Sequence, residues 1–191
     1  METETRPVKP VNLPHAFARC LVNQRIGVLV LPLQRYRSVA EEHLLWVREG
    51  VTVLDRQPRR DMLSVAYAGE ARPYQVAWPR SRSKPGPGHR PAEAMPMEAS
   101  RYTLLVREVL HLRLFQVPLE LGLRAGVWED HDGFACVGYP FMRGMRTHTA
   151  ALQFLHQHNF PEDEPNPEVV AVSFRVSTKN IAMVIKEGAK W

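Results

Sequence analysis

Residues 90–106, RPAEAMPMEASRYTLLV, join a proline-rich loop to a strand and carry the most specific pattern in the chain. Pro91 and Pro96 lack an amide hydrogen and so disfavour regular sheet. Tyr102 to Val106 is apolar and rich in strand-forming residues, and it begins a longer strand-like segment over residues 102–113. The order of loop and strand predicts a β-rich fold that carries one long loop over residues 79–100.

The same loop is strongly basic. From residue 72 to residue 90 the sequence contains five cations and no carboxylate: Arg72, Arg80, Arg82, Lys84 and Arg90. Such a stretch is either a solvated loop that keeps the protein soluble or an arm that neutralises phosphates. In the second case Arg80, Arg82, Lys84 and Arg90 supply phosphate contacts, which position a nucleic acid without reading its sequence.

Composition places the whole chain among ordinary globular proteins. Its 191 residues are 45% hydrophobic and 24% charged, which predicts one domain over residues 1–191 with a core of useful size. A net charge of +5 fits a polyanionic partner without requiring one. No apolar run approaches the length of a membrane span or marks a leader, and only Cys20 and Cys136 are thiols. We therefore expect a cytoplasmic protein with no membrane partner.

Periodicity and turn residues divide the chain into short elements. Residues 1–13, with Pro7 and Pro10, are expected to form an extended tail. The predicted helices cover residues 14–22, 118–125 and 147–158, and the predicted strands cover residues 26–33, 44–48, 51–54, 62–68, 74–78, 102–113, 169–176 and 181–185. This pattern predicts an α+β, mainly β fold, a small barrel with short flanking helices.

Most residues that could carry chemistry have a simpler structural interpretation. Asp130-His131-Asp132 is interpreted as a solvated turn, because no second set of ligands at metal spacing accompanies it. His148, His156 and His158 cannot all share one helix face, so surface histidines are expected. We predict no catalytic residue, no metal and no cofactor.

The segment Trp46-Val47-Arg48-Glu49 stands at a predicted strand end. In one interpretation Arg48 and Glu49 form weak, exposed ion pairs. In the other, Trp46 and Arg48, together with Arg101, line the mouth of a barrel and offer a stacking ring and a guanidinium to a nucleic acid. Periodicity alone favours the first interpretation.

Several segments together resemble the ASCH-domain proteins, a branch of the PUA-like β-barrels, in the version carried by phages and prophages. The similar segments are the helix and strand of residues 15–30, His43 to Glu49, Arg90 to Arg101 with the strand behind it, Val109 to Val127, and a last strand after Asn166-Pro167. The resemblance implies a PUA-like barrel that binds RNA, DNA or a nucleotide.

Some ASCH proteins are hydrolases, including an amidohydrolase for acetylated cytidine. In that pattern a lysine, a threonine and a glutamate do the chemistry, and Ile26, Leu29 and Ala125 stand at those positions here. None of these side chains can attack or exchange a proton. The resemblance thus implies a binding protein that has lost this chemistry.

Two alternatives stay open. One is a hydrolase or nuclease that uses other residues, with Glu49 and the histidines as candidates. The other is a protein-interaction module, such as a phage-encoded inhibitor of a host system, whose basic loop docks on an acidic surface.

Overall fold

The computed structural model describes residues 6–23, 25–54, 61–160 and 164–187, which form an α+β fold that is mainly β, as predicted. The strands are β1 (Val8–Asn12), β2 (Val28–Pro32), β3 (Leu44–Arg48), β4 (Val51–Leu54), β5 (Met62–Tyr67), β6 (Tyr74–Ala77), β7 (Gly88–Arg90), β8 (Thr103–Arg113), β9 (Val127–Asp130), β10 (Gly133–Cys136) and β11 (Glu168–Ser177). The helices are α1 (His15–Val22), α2 (Leu33–Tyr36), α3 (Leu119–Arg124), α4 (His148–Asn159) and α5 (Ile181–Lys186), with short 3-10 turns at Ala92–Ala94, Met97–Ala99 and Leu114–Gln116.

The chain forms two compact units, each built from segments that are distant in sequence. Unit 1 comprises residues 1–15, 44–103 and 177–191, and unit 2 comprises residues 16–43 and 104–176. The described strands form open sheets without a closed barrel among them. The PUA-like barrel and the single domain over residues 1–191 therefore stay predictions.

A four-stranded antiparallel sheet forms a large part of unit 1, in the order β6-β5-β4-β7. Buried and half-buried residues alternate along β4, because successive side chains of a strand point to opposite faces. The buried cluster on this sheet contains Val51, Val53, Leu63, Val65, Tyr67, Trp78, Met95 and Ala99. Since Trp78 and Ala99 are both members, this core anchors the basic loop at both of its ends.

The amino-terminal segment of unit 1 is a strand and not a tail. β1 pairs with β3 in parallel, with Val8 opposite Leu44 and Asn12 opposite Arg48. The predicted extended tail is therefore wrong over residues 8–12, while residues 1–5 lie outside the described part of the chain. Pro10 is tolerated because a strand at a sheet edge needs fewer backbone donors.

The loop over residues 79–100 also contains sheet, contrary to prediction. Gly88–Arg90 forms β7 and pairs with β4, so that Arg90 lies opposite Val51. The prolines on either side, Pro87 and Pro91, lie outside the strand and leave its own donors intact.

The carboxy-terminal apolar segment is a helix. A strand was predicted over residues 181–185, but Ile181–Lys186 forms α5. The Asn180 side chain accepts a hydrogen bond from the amide of Met183 at 2.9 Å and caps the helix. Ile181 and Val184, three residues apart, are buried on one face, a spacing that fits the period of a helix and not that of a strand.

Unit 2 contains strands in the order β8-β11-β2, with Val170 of β11 antiparallel to Leu31 of β2. Helix α4 begins after Thr147, whose side chain accepts from the amide of Ala150 at 3.2 Å. The turn between β9 and β10 exposes His131 and Asp132, as predicted for a solvated turn, whereas the Asp130 side chain is 11% exposed. The predictions for residues 14–22, 26–33, 44–48, 102–113, 118–125, 147–158 and 169–176 are confirmed within two residues at each end.

Candidate functional site

A buried ion pair connects Glu49, directly after β3, with Arg101, just before β8. Glu49 is 0% exposed and Arg101 is 9% exposed. Arg101 donates from Nε to Oε1 at 3.1 Å and from Nη2 to Oε2 at 2.7 Å. This two-point pair holds both carboxylate oxygens in a fixed plane. Glu49 therefore serves first as the counter-ion of a buried guanidinium.

Three tyrosine rings surround the same guanidinium. The Arg101 Cζ atom lies 4.0 Å from the ring centroid of Tyr67, 5.0 Å from that of Tyr102 and 5.5 Å from that of Tyr74. Its Nη1 also donates to Glu70 at 3.1 Å. Burial alone would lower the pKa of Arg101, but the hydrogen bonds and charge of Glu49 outweigh it and raise that pKa. Two carboxylates balance this cation, which weakens it as a phosphate contact.

His15 completes the polar cluster on the other side of Glu49. Its Nδ1 lies 3.1 Å from Glu49 Oε2, and its Nε2 is buried with no hydrogen-bond partner among the described residues. The backbone amide of Glu49 meets the Met95 sulfur at 3.1 Å. The sequence contains no signal for the role of His15 beyond its place at a helix start.

The basic loop is held to unit 1 by Trp78, Arg82 and Glu98. Trp78 is buried, and its Nε1 donates to the backbone carbonyl of Arg82 at 3.0 Å. The Arg82 guanidinium lies over the Trp78 ring, 5.2 Å from its centroid, and donates to Glu98 Oε1 at 2.5 Å. Arg82 therefore both stabilises the loop and offers a charge at the surface.

The other residues predicted to contact phosphate differ in their exposure and in their partners within the protein. Arg80 is 80% exposed and meets Asp61 at 3.3 Å in a surface ion pair. Lys84 and Arg90 are half-buried. Arg90 donates from Nη2 to the carbonyl of Gly86 at 3.1 Å, which closes a tight turn before β7. Arg80 is thus the residue of this set that most resembles a free surface charge.

Trp46 and Arg48 lie together on β3 but are not an open stacking platform. Trp46 is buried, and the Arg48 guanidinium lies 5.6 Å from its ring centroid. Arg48 donates to the Asn12 side chain at 2.7 Å and to the Glu93 carbonyl at 3.2 Å. Their predicted role in nucleic-acid binding stays a prediction.

The residues that the predicted ASCH resemblance aligns with the reactive groups of the amidohydrolase are apolar and enclosed. Ile26, Leu29 and Ala125 are all buried. The expectation of surface histidines is wrong for His156, which is buried and has its Nδ1 3.2 Å from the carbonyl of Val30. Within the described ranges, no group of three or more His, Cys, Asp or Glu side chains could hold a metal ion.

Sequence reasoning did not identify the acidic partners of the basic residues. Glu70 contacts Arg101, and Glu98 contacts Arg82. Neither glutamate was predicted from the sequence to have a partner. An available signal was the position of Glu98 inside the apolar, proline-bounded run before Arg101, where a carboxylate needs a nearby cation.

Comparison with known proteins finds no match for this chain, whether to a protein-family model, a curated protein or a solved structure. The resemblance to ASCH proteins accordingly stays a prediction. No helix in the described parts of the chain is long and apolar enough to cross a membrane.

Proposed function

We propose that this chain binds single-stranded RNA or DNA, or a nucleotide, through the basic segment of residues 72–90 in unit 1. The scaffold in this proposal is an ASCH-type, PUA-like fold in a phage or prophage setting, in the cytoplasm and without the family's amidohydrolase chemistry. The observation that carries the proposal is the exposure of three arginines, Arg72, Arg80 and Arg82, on a segment whose sequence contains no carboxylate.

Charge and exposure both support this assignment. Arg72, Arg80 and Arg82 are exposed. Tyr74, on the edge strand β6, is 40% exposed, although its ring also packs on Tyr67 and lies near Arg101. The ion pair of Arg80 with Asp61 is open to water and contributes little, about 0–1 kcal/mol. A phosphate can therefore replace Asp61 at low cost. A nucleic-acid strand would gain phosphate contacts from the arginines and a stacking surface from the tyrosine.

The geometry around Glu49 favours binding over hydrolysis. Both oxygens of Glu49 accept hydrogen bonds from Arg101, and Oε2 also meets His15. A carboxylate held in this way has a structural partner for each oxygen and is poorly placed to activate water.

Salt dependence tests the proposal directly. Labelled single-stranded RNA and DNA of about ten nucleotides are titrated at several salt concentrations, and the slope of log K against log salt is compared between variants. Replacing Arg80, Arg82 and Lys84 together by alanine is expected to weaken binding and to reduce the slope by about 0.7 for each phosphate that is no longer neutralised. Circular dichroism checks that the triple variant keeps its fold.

Arg107→Ala is the matched control. Arg107 pairs with Glu42 in unit 2 at 2.9 Å, so its loss removes one positive charge and one surface ion pair that are not part of the basic segment. Its slope should equal that of the unmodified protein. Equal affinity and slope for the unmodified protein and the triple variant would show that the cations serve solubility alone.

A second candidate function, the protein-interaction module, is favoured by Phe141 in unit 2. This side chain is 97% exposed at a turn in which the Met142 amide donates to the Tyr139 carbonyl at 3.0 Å. The turn is anchored, because the Tyr139 hydroxyl donates to Asn159 at 3.1 Å and its ring packs on Phe154 at 5.3 Å. A fixed, exposed phenylalanine can insert into an apolar pocket of a partner.

A pull-down after nuclease treatment tests this second candidate. A protein partner should remain bound to the unmodified chain and be lost from Phe141→Ser. Phe115→Ser, at another exposed phenylalanine of unit 2, is the control and should retain the partner. Equal capture by both variants would contradict a role for Phe141.

A further inference from the structure

The base of the basic loop contains a planar cation stacked on an aromatic ring and paired with a buried carboxylate. The carboxylate belongs to Glu98, whose side chain is 9% exposed, and the ring belongs to Trp78. The cation is the guanidinium of Arg82, whose side chain is 56% exposed. The Trp78 ring and the Glu98 carboxylate thus both contact the Arg82 guanidinium.

The Glu98 carboxylate can accept more hydrogen bonds than it receives from the described residues. Oε1 accepts from Arg82, but Oε2 is buried and has no hydrogen-bond partner among the described residues. An ionised carboxylate has acceptor sites on both oxygens, and leaving a buried one unsatisfied costs about 1–3 kcal/mol or more. A ligand that offers two adjacent donors would satisfy both oxygens at once.

Trp78 and Glu98 are held by core packing and by a closed turn, whereas the Arg82 side chain is held by its contacts with these two residues. Trp78 packs in the core of the unit 1 sheet together with Ala99, the neighbour of Glu98. The 3-10 turn Met97–Ala99 is closed by a hydrogen bond from the Ala99 amide to the Pro96 carbonyl at 2.9 Å. The contact of Arg82 with the ring is partly exposed and contributes about 0.5–1 kcal/mol. The arginine side chain can leave the site while the ring and carboxylate stay, provided that other donors replace its hydrogen bond to Glu98.

We propose that Trp78 and Glu98 form a guanine-binding site that Arg82 occupies in the free protein; this inference rests on the proposed function. Guanine presents N1–H and its exocyclic amino group side by side in one plane, the same donor pattern as a guanidinium. Those two donors match the two oxygens of Glu98, and the base stacks on Trp78. The displaced Arg82 then contacts a phosphate.

The other bases do not fit this site. Adenine and cytosine place a ring-nitrogen acceptor beside their amino group, and that acceptor would face the carboxylate of Glu98. Uracil and thymine place a carbonyl on each side of their single N–H donor. Guanine alone among the common bases offers two adjacent donors, so Glu98 selects by the hydrogen-bond pattern and not by size.

The test compares guanine with hypoxanthine, which lacks only the exocyclic amino group. Fluorescence anisotropy measures binding of labelled octauridylates that carry a single guanosine or a single inosine. The guanosine strand should bind about tenfold more tightly to the unmodified protein, and Glu98→Gln should remove this preference. Glu93→Gln, at an exposed carboxylate in the neighbouring 3-10 turn, should keep it.

A second measurement uses guanosine without phosphate, so that the phosphate-binding role of the arginines does not enter. Arg82→Ala removes the competing guanidinium and should strengthen guanosine binding about threefold to tenfold, whereas Arg80→Ala should leave it unchanged. Equal affinity for the guanosine and inosine strands, with salt-dependent binding intact, would overturn the guanine site and leave the proposed function standing. No binding to any strand would overturn both.

Discussion

Glu49 and Arg101 form a two-point ion pair in the interior of unit 1, although they lie 52 residues apart in the chain. Glu49 ends the segment that begins at His43, and Arg101 ends the segment that begins at Arg90. These are two of the segments on which the family resemblance rests. The contact between Glu49 and Arg101 gives both residues a structural role, since each supplies the opposite charge that the other needs in order to be buried.

Removal of Glu49 is expected to destabilise the protein strongly. Glu49→Ala leaves the Arg101 guanidinium buried with Glu70 as its remaining acidic partner. Breaking a buried pair in this way costs about 3–5 kcal/mol, because the partly exposed Glu70 contacts only Nη1 and the buried Nε and Nη2 lose their acceptors. Urea unfolding followed by circular dichroism measures the change in the free energy of unfolding.

Glu42→Ala is the matched control for this experiment. Glu42 pairs with Arg107 at 2.9 Å, but both side chains are exposed, so the expected loss is below about 1 kcal/mol. The double variant Glu49→Leu with Arg101→Met should be more stable than Glu49→Ala alone, since neither charge is then buried. Similar losses for Glu49→Ala and Glu42→Ala would contradict the role given to the buried pair.

Gly133 should not tolerate a side chain. It begins β10 with a φ of +129°, and an added Cβ would lie 2.6 Å from the Met145 carbonyl oxygen. Backbone strain and overpacking together should make Gly133→Ala less stable by about 2–4 kcal/mol. At Gly86 a Cβ would meet nothing within 4 Å, so Gly86→Ala should change stability by less than about 0.5 kcal/mol. Thermal unfolding compares the two variants, and equal melting temperatures would contradict this prediction.

Burial of Cys136 predicts a loss of stability at high pH. Burial raises the pKa of this thiol to about 12, whereas in the unfolded chain it is about 8.5. The folded state thus favours the protonated thiol. This preference stabilises the fold in full below the pKa of the unfolded chain, and the stabilisation is lost as the pH rises towards the pKa of the folded state. At pH 10 the loss relative to pH 7 should be about 2 kcal/mol.

Cys136→Ala isolates this effect from other groups that titrate at high pH. The difference in unfolding free energy between the unmodified protein and the variant should shrink by about 2 kcal/mol from pH 7 to pH 10. Denaturant titrations at the two pH values measure it. A difference that is independent of pH would show that the thiol titrates alike in both states.

Acetylated cytidine should not be hydrolysed by the purified protein. Ile26, Leu29 and Ala125, which the predicted resemblance aligns with the reactive groups of the amidohydrolase, are buried, apolar side chains. Chromatographic detection of released acetate and cytidine provides the measurement. Turnover that disappears in Glu49→Gln would show instead that Glu49 acts in catalysis.

The local sequence pattern was sufficient to predict the longer helices and strands of this protein. Alternating or continuous apolar residues identify β3, β8 and β11, and Thr147 marks the start of α4 through its capping side chain. The basic character of residues 72–90 is likewise a property of the sequence alone. In each case the deciding interaction lies within a few residues of the chain.

The tertiary structure decided the elements and contacts that depend on distant partners. β1 exists because β3 lies beside it, and the apolar run after Asn180 becomes α5 because the fold buries Ile181 and Val184, which share one helix face. The burial of Glu49 and Glu98 depends in the same way on Arg101 and Arg82. A charged side chain can be buried only where folding brings an opposite charge or hydrogen-bond donors to it, and the spacing of nearby residues does not determine which distant residue supplies them.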